Sequence, residues 1–200
     1  RVVCGGVDTL TRFTLNGFSS LRNTDTGLCK PFDEHRNGLN LGEGAAYLVL
    51  ESERSLAVTG SKPVGLLAGY HNYNEAFHPT APSPDGNGAY EAMAGALHKA
   101  GLLPAAISYI NAHGTATINN DIAEAKAMLR LFGGQLPPFS STKCYTGHTL
   151  AAAGAIEAVF SLLAIVHEEL YPALHFDTPM NDAAVTPLLS LTEHRKTDHV

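Results

Sequence analysis

Two hundred residues suffice for one sizeable domain or two small ones with a real core. Apolar residues make up 44% and charged residues 16%, so charge is scarce, which predicts a surface largely covered by a partner subunit or by further parts of the chain. A net charge of −6 excludes a basic footprint for nucleic acid, and three cysteines (Cys4, Cys29, Cys144) without CxxC spacing or an even count exclude a disulfide framework; they read as reduced thiols in a cytoplasmic protein.

The chain begins at Arg1 without a methionine or a signal-peptide pattern, inside a predicted strand, Arg1 to Val3, turned at Gly5-Gly6. A polar, irregular stretch runs on through "NTDTGLCKPFDEHRNG". "GEGAAYLVLES" is apolar at consecutive positions and predicts a strand buried on both faces. "SERSLAVTG" predicts a short helix stopped by Gly60, and "PVGLLAGYHNYN" a strand entering a His- and Asn-rich loop. "TGSKP" between them marks a boundary near residues 60 to 65.

From residue 87 the pattern becomes regular. "NGAYEAMAGALHKAG" predicts a helix closed by Gly101, and "ISYINAHGT" a short strand ending in polar residues. "NDIAEAKAMLRLFG" predicts an amphipathic helix with Ile122, Ala125, Leu129 and Phe132 on one face, closed by Gly133. "PPFSSTK" gives another short strand, and Leu150 to Val166 an Ala/Gly-rich helix that carries Glu157. That window falls short of the roughly 20 residues of a membrane span and reads as a buried core helix. Alternating strands and helices predict a layered α/β domain around a largely central sheet. The polar end, "LTEHRKTDHV", has no closing element, so both ends are expected to be cut from a longer chain.

In such sheets, ligands sit beyond the carboxyl ends of strands, where "NAHGTAT" places His113 and "STKCYTGH" places His148. Gly114 and Gly147 permit close backbone approach, and Thr115, Thr117 and Thr146 offer small hydroxyls. The two histidines either converge on one site or are separate structural residues. Zinc is poorly served, because no further ligand stands at close helical spacing. A Cys144 nucleophile activated by Lys143 and His148 and oriented by Asn111 is a further option, although a base four residues from its nucleophile on one turn is an unusual layout. Lys143 is either a solvated surface residue or a buried one paired with Glu124 or Asp121.

"NAHGTATINNDIAEAKA" followed by "SSTKCYTGHTLAAAGAIEAV" resembles the β-ketoacyl-[acyl carrier protein] synthases, the condensing enzymes of fatty acid and polyketide synthesis. "PFDEHRNGLNLGEGAAYLVLE" and "RVVCGGVD" fit further stretches of that family, and the histidine motifs are closer to its stand-alone, type II-like members. The resemblance implies a thiolase-like fold, α/β in α-β-α-β-α layers, normally a homodimer. Residues 1–62 would end the N-terminal half, and residues 63–200 would form most of the C-terminal half. It also implies that a cysteine takes an acyl group from acyl carrier protein, while two histidines bind the malonyl thioester and stabilise the enolate formed by decarboxylation.

Carried over, His113 and His148 are that pair, Lys143 supports them electrostatically, and Glu124 is its ion-pair partner. Thr115 and Thr117 match positions that contact the phosphopantetheine arm, and Phe18 a region lining the acyl pocket. No cofactor is implied beyond the phosphopantetheine that arrives on acyl carrier protein; no metal, nucleic acid or membrane span is implied either. None of the three cysteines matches the family's nucleophile, which would lie upstream of Arg1, and the family's "GFGG" loop would lie beyond Val200. The chain alone is therefore expected not to condense acyl groups. Rival readings are a non-catalytic chain-length-factor-type subunit paired with a ketosynthase, and a Cys144-dependent hydrolase. A thiolase fits less well, since its motifs differ.

Overall fold

The computed structural model describes residues 1–200. Strand β1 (Val2–Asp8) pairs antiparallel with β2 (Gly44–Leu50), from Val2 opposite Leu50 to Asp8 opposite Gly44. Gly5 and Gly6 lie within β1 and do not form the expected turn. A Cβ on Gly6 would strike the Ala151 carbonyl, and one on Gly5 the Ala46 carbonyl, so these glycines permit close backbone approach. Nor is β2 buried on both faces: burial alternates along each strand. Cys4, Gly6, Ala46 and Leu48 face inward, while Val3, Val7, Tyr47 and Val49 face out.

Between the strands, α1 (Arg12–Ser20) occupies a stretch read from sequence as irregular. Thr11 caps it by accepting the Thr14 N–H at 3.1 Å, and no residue of the helix is buried. Helix α2 (Glu53–Thr59) has Ser52 as cap and ends at Gly60, whose φ of 68° is the left-handed stop expected. Residues 63–74 form no strand: the segment finds no ladder partner along either edge.

The second half follows the predicted order. Helix α3 (Asn87–Ala100) ends at Gly101, and β3 (Ile110–Asn111) lies parallel to β4 (Phe139–Ser140). Between these strands α4 (Ile118–Phe132) ends at Gly133. A short helix, α5 (Lys143–Thr146), and a 3₁₀ turn lead into α6 (Ala153–His167). The central sheet is replaced by two separate two-stranded sheets.

The main core joins Phe32, Ala112, Ala125, Met128 and Phe139 to Met180, with Ile122, Leu129 and Phe132 packed against it, so α4 uses the face its pattern predicts. Phe32 and Phe139 meet edge to face at 5.2 Å. Asp33 fastens this block to the later chain by accepting N–H bonds from Asp177 at 2.6 Å and Thr178 at 2.8 Å. Helix α6 is only partly the buried core helix expected. Leu150–His167 has a mean hydropathy of 1.9, enough by length and composition to cross a membrane, but only Ala153 and Ala164 of α6 are buried. One side of α6 packs on β1 and β2, and Glu157 projects to Lys143.

Candidate active site

His113 stands two residues beyond β3, and His148 follows α5 through Gly147. Gly147 has φ 69° and ψ −179°, a combination open only to glycine. It lets the chain turn so that His148 N–H donates to the Asn40 carbonyl at 2.7 Å and the His148 carbonyl accepts from Gly42 N–H at 3.1 Å. The two rings converge with centroids 5.3 Å apart, nearly perpendicular at 87°.

Lys143 is 2% exposed and sits behind this pair. Its ammonium donates to the His113 carbonyl at 2.7 Å, lies 3.2 Å from His113 Nδ1, and pairs with Glu157. An ammonium has no lone pair, so His113 Nδ1 must accept and the ring proton resides on Nε2. The Leu150 N–H donates to His148 Nδ1 at 3.1 Å and sets the same tautomer there. His113 as a whole is exposed at the site's mouth, but desolvation of its ring, with Lys143 and then His148 adding repulsion, lowers its pKa to about 3. Burial and Lys143 lower that of His148 to about 4. At neutral pH the site therefore presents two uncharged imidazoles, each offering an Nε2–H. Such a pair can stabilise an oxygen that gains charge without itself transferring a proton.

Glu124 is not the partner of Lys143. Its carboxylate accepts the backbone N–H groups of His113 at 2.7 Å and Gly114 at 2.8 Å, because α4 starts directly after this loop and turns the side chain back onto it. Burial, reinforced by Asp121, raises its pKa to about 7 against the pull of those N–H bonds and Lys143. Asp121 also avoids Lys143 and instead accepts from Phe32 N–H at 2.7 Å and Ala116 N–H at 3.2 Å. The counter-ion is Glu157 of α6, which the sequence showed only as the one charge in an apolar helix. That isolation was the available signal, since a carboxylate kept in such a helix needs a buried cation.

Cys144 does not approach His148. Its thiol donates to the Ser141 carbonyl at 3.1 Å and accepts from Leu174 N–H at 3.3 Å, and burial raises its pKa. Cys29 is pushed up to about 12 by burial. Both environments oppose a thiolate. Asn111, the suggested orienting group, donates instead to the Glu157 carbonyl at 3.1 Å. No group of three or more His, Cys, Asp or Glu side chains is placed to hold a metal ion.

A polar cleft of about 370 Å³ opens at His148, lined among others by Arg22, Asn23, Thr80, Thr115 and Thr117. The hydroxyls of Thr115 and Thr117 are 2.8 Å apart. Phe18 lies half-buried on α1 and does not line this cleft. A separate apolar groove of about 380 Å³, bordered by Leu66, Met93, Leu97 and Ile165, contains neither histidine.

Two family models match the chain: the beta-ketoacyl synthase N-terminal domain over residues 1–55 and the beta-ketoacyl synthase C-terminal domain over residues 64–177. The chain belongs to the β-ketoacyl synthase family. It is 40% identical over 186 residues to the 3-oxoacyl-[acyl-carrier-protein] synthase 2 of Staphylococcus aureus, covering 89% of this chain and 46% of that one. It resembles the structure of a ketosynthase in complex with its chain length factor from Xenorhabdus doucetiae, with TM-score 0.84 and 40% identity over 97% of this chain and 47% of that one. It also resembles a type II polyketide ketosynthase solved with its acyl carrier protein, with TM-score 0.90 and 30% identity over 96% of this chain and 50% of that one. The fold is thus the thiolase-like fold of ketosynthases, and the chain spans about half the length of these relatives.

Proposed function

We propose that these residues form the decarboxylation half of a β-ketoacyl-[acyl carrier protein] synthase, an acyltransferase that extends acyl chains in fatty acid or polyketide biosynthesis. The observation that carries this reading is the convergence of His113 and His148 as two neutral Nε2–H donors. A malonyl thioester bound with its carbonyl oxygen between them loses CO₂ when the bond between the α-carbon and the carboxylate breaks. The electron pair moves through the α-carbon to that oxygen as an enolate, where donors aimed at the new charge count most. The enolate carbon then attacks an acyl thioester on a cysteine, a bond forms between the two carbons, and the thiolate leaves. Buried Cys29 and half-buried, hydrogen-bonded Cys144, both with raised pKa, do not suit that nucleophile. We place it elsewhere in the complete synthase, and the 200 residues alone are expected not to condense acyl groups.

In this reading Thr115 and Thr117 meet the phosphopantetheine arm as it enters the polar cleft on acyl carrier protein, and no resident cofactor is needed. Division of the chain at residues 62 and 63, assembly as a homodimer or with a ketosynthase-like subunit, and a cytoplasmic setting belong to the same proposal. A non-catalytic chain-length-factor-type role is disfavoured by the intact set of His113, His148 and Lys143.

The test is release of labelled CO₂ from malonyl-acyl carrier protein by this chain completed with the flanking segments of the Staphylococcus aureus relative. His113→Ala or His148→Ala should each reduce release about 100- to 1000-fold. Release unaffected by both substitutions would refute the assignment.

A further inference from the structure

Arg36 lies outside the histidine pair, yet its side chain is only 4% exposed. We propose that Arg36 is a positioning residue for the thioester arm, fixing the backbone of Ala116 to Ile118 and with it the Thr115–Thr117 wall of the polar cleft. This rests on reading that cleft as the arm's channel.

The guanidinium forks between two chain segments. It donates through Nη1 to the Asp33 carbonyl at 2.8 Å, through Nη2 to the Ile118 carbonyl at 2.9 Å and through Nε to the Thr117 carbonyl at 3.4 Å. Asp121, 3.9 Å from Nε, works on the same two segments from the other side, accepting the N–H groups of Phe32 and Ala116. Each segment contains a residue that the backbone disfavours: Phe32 has φ 64° and Ala116 φ 63°. A third tie, Gly38 N–H to the Ala116 carbonyl at 3.0 Å, completes the weld.

Helix stability does not account for this arrangement. Arg36 brings a cation to the N-terminus of α4, the positive end of the helix dipole, and Asp121 in the first turn only offsets it. What the fork accomplishes is geometric: it holds the turn that presents both threonine hydroxyls. A lysine, with one compact ammonium, cannot span the same three carbonyls.

The decisive experiment follows threonine methyl NMR signals in the full 200-residue chain with Arg36→Met and Arg36→Lys, alongside thermal unfolding and titration with pantetheine. The Thr115 and Thr117 methyls should shift and broaden in Arg36→Met and less so in Arg36→Lys, while the His113 and His148 ring nitrogens keep their shifts. Pantetheine affinity should fall about tenfold in Arg36→Met and by less in Arg36→Lys. If Arg36→Met does not fold, the lysine variant carries the test. Unchanged threonine methyls and pantetheine affinity in a folded variant, with only the melting temperature lowered, would overturn the proposal. A wild-type chain that ignores pantetheine overturns the channel reading and with it the role toward the arm; the threonine methyls then decide separately whether Arg36 sets that turn.

Discussion

Around His113 and His148 the buried charges all have partners, with Asn111 Oδ1 and Thr142 Oγ1 left unpaired beside them, whereas the β1–β2 pair turns apolar side chains outward with nothing packed on them. Lys143 is answered by Glu157 and the His113 carbonyl, Glu124 by two backbone N–H groups, and Asp121 by two more. On the β1–β2 pair, cross-strand partners Val3 and Val49 remain 67% and 64% exposed. The site's charges are answered by Phe32 and by residues between His113 and Glu157, while the outer face of β1 and β2 supplies none of these partners. Substitutions should therefore be costly around the histidines and nearly silent on the outer face of β1 and β2.

The sharpest contrast comes from Glu157→Ala, which leaves the Lys143 ammonium buried without its counter-charge. We expect a loss of about 3–5 kcal/mol in urea unfolding; a loss below about 1 kcal/mol would show that Lys143 relaxes into solvent. Asp121→Ala removes the acceptor for Phe32 and Ala116 N–H and should cost about 1–3 kcal/mol by the same measurement.

The pH dependence separates the site groups further. Unfolded histidines protonate near 6.5, but the folded pair holds out to about 3 and about 4. Their contribution to stability is whole above 6.5 and is lost as pH falls toward those values, because the unfolded chain then binds more protons. Glu124 acts oppositely. Its pKa rises from 4.5 to about 7, so its contribution is whole below 4.5 and is lost as pH rises through 7. In unfolding experiments across this range, His113→Gln with His148→Gln should flatten the acid-side loss, and Glu124→Gln the loss toward neutrality.

Cys144→Ala removes two modest sulfur contacts and should cost about 1 kcal/mol, with no loss of CO₂ release in the completed synthase. Abolished activity would revive the hydrolase reading. The smallest effect is expected from Val3→Thr with Val49→Thr: stability within about 0.5 kcal/mol of the parent in urea unfolding.

The strand end at His113, the α4 core face and the glycine stops at 60, 101 and 133 were legible because each depends on local pattern or on a backbone only glycine tolerates, whereas His148 follows the short helix α5 and not a strand end. The misreadings arose where a distant partner decides. Gly5 and Gly6 look like a turn until the 150–152 turn is seen lying against the strand. Residues 63–74 have strand composition but no neighbour to bond. Glu124 and Asp121 were expected as counter-ions for Lys143 because they stand on the preceding helix, and only the approach of α6 brings Glu157 there instead.

The central claim is that His113 and His148 stand as two neutral imidazoles protonated on Nε2. Nitrogen-15 NMR of the histidine rings across pH tests it most directly. Both residues should show an unprotonated Nδ1 and a protonated Nε2 from neutrality down to about pH 5, below which His148, with a pKa of about 4, titrates ahead of His113, with a pKa of about 3. A ring that titrates near 6.5, or one that carries its neutral proton on Nδ1, would contradict the account.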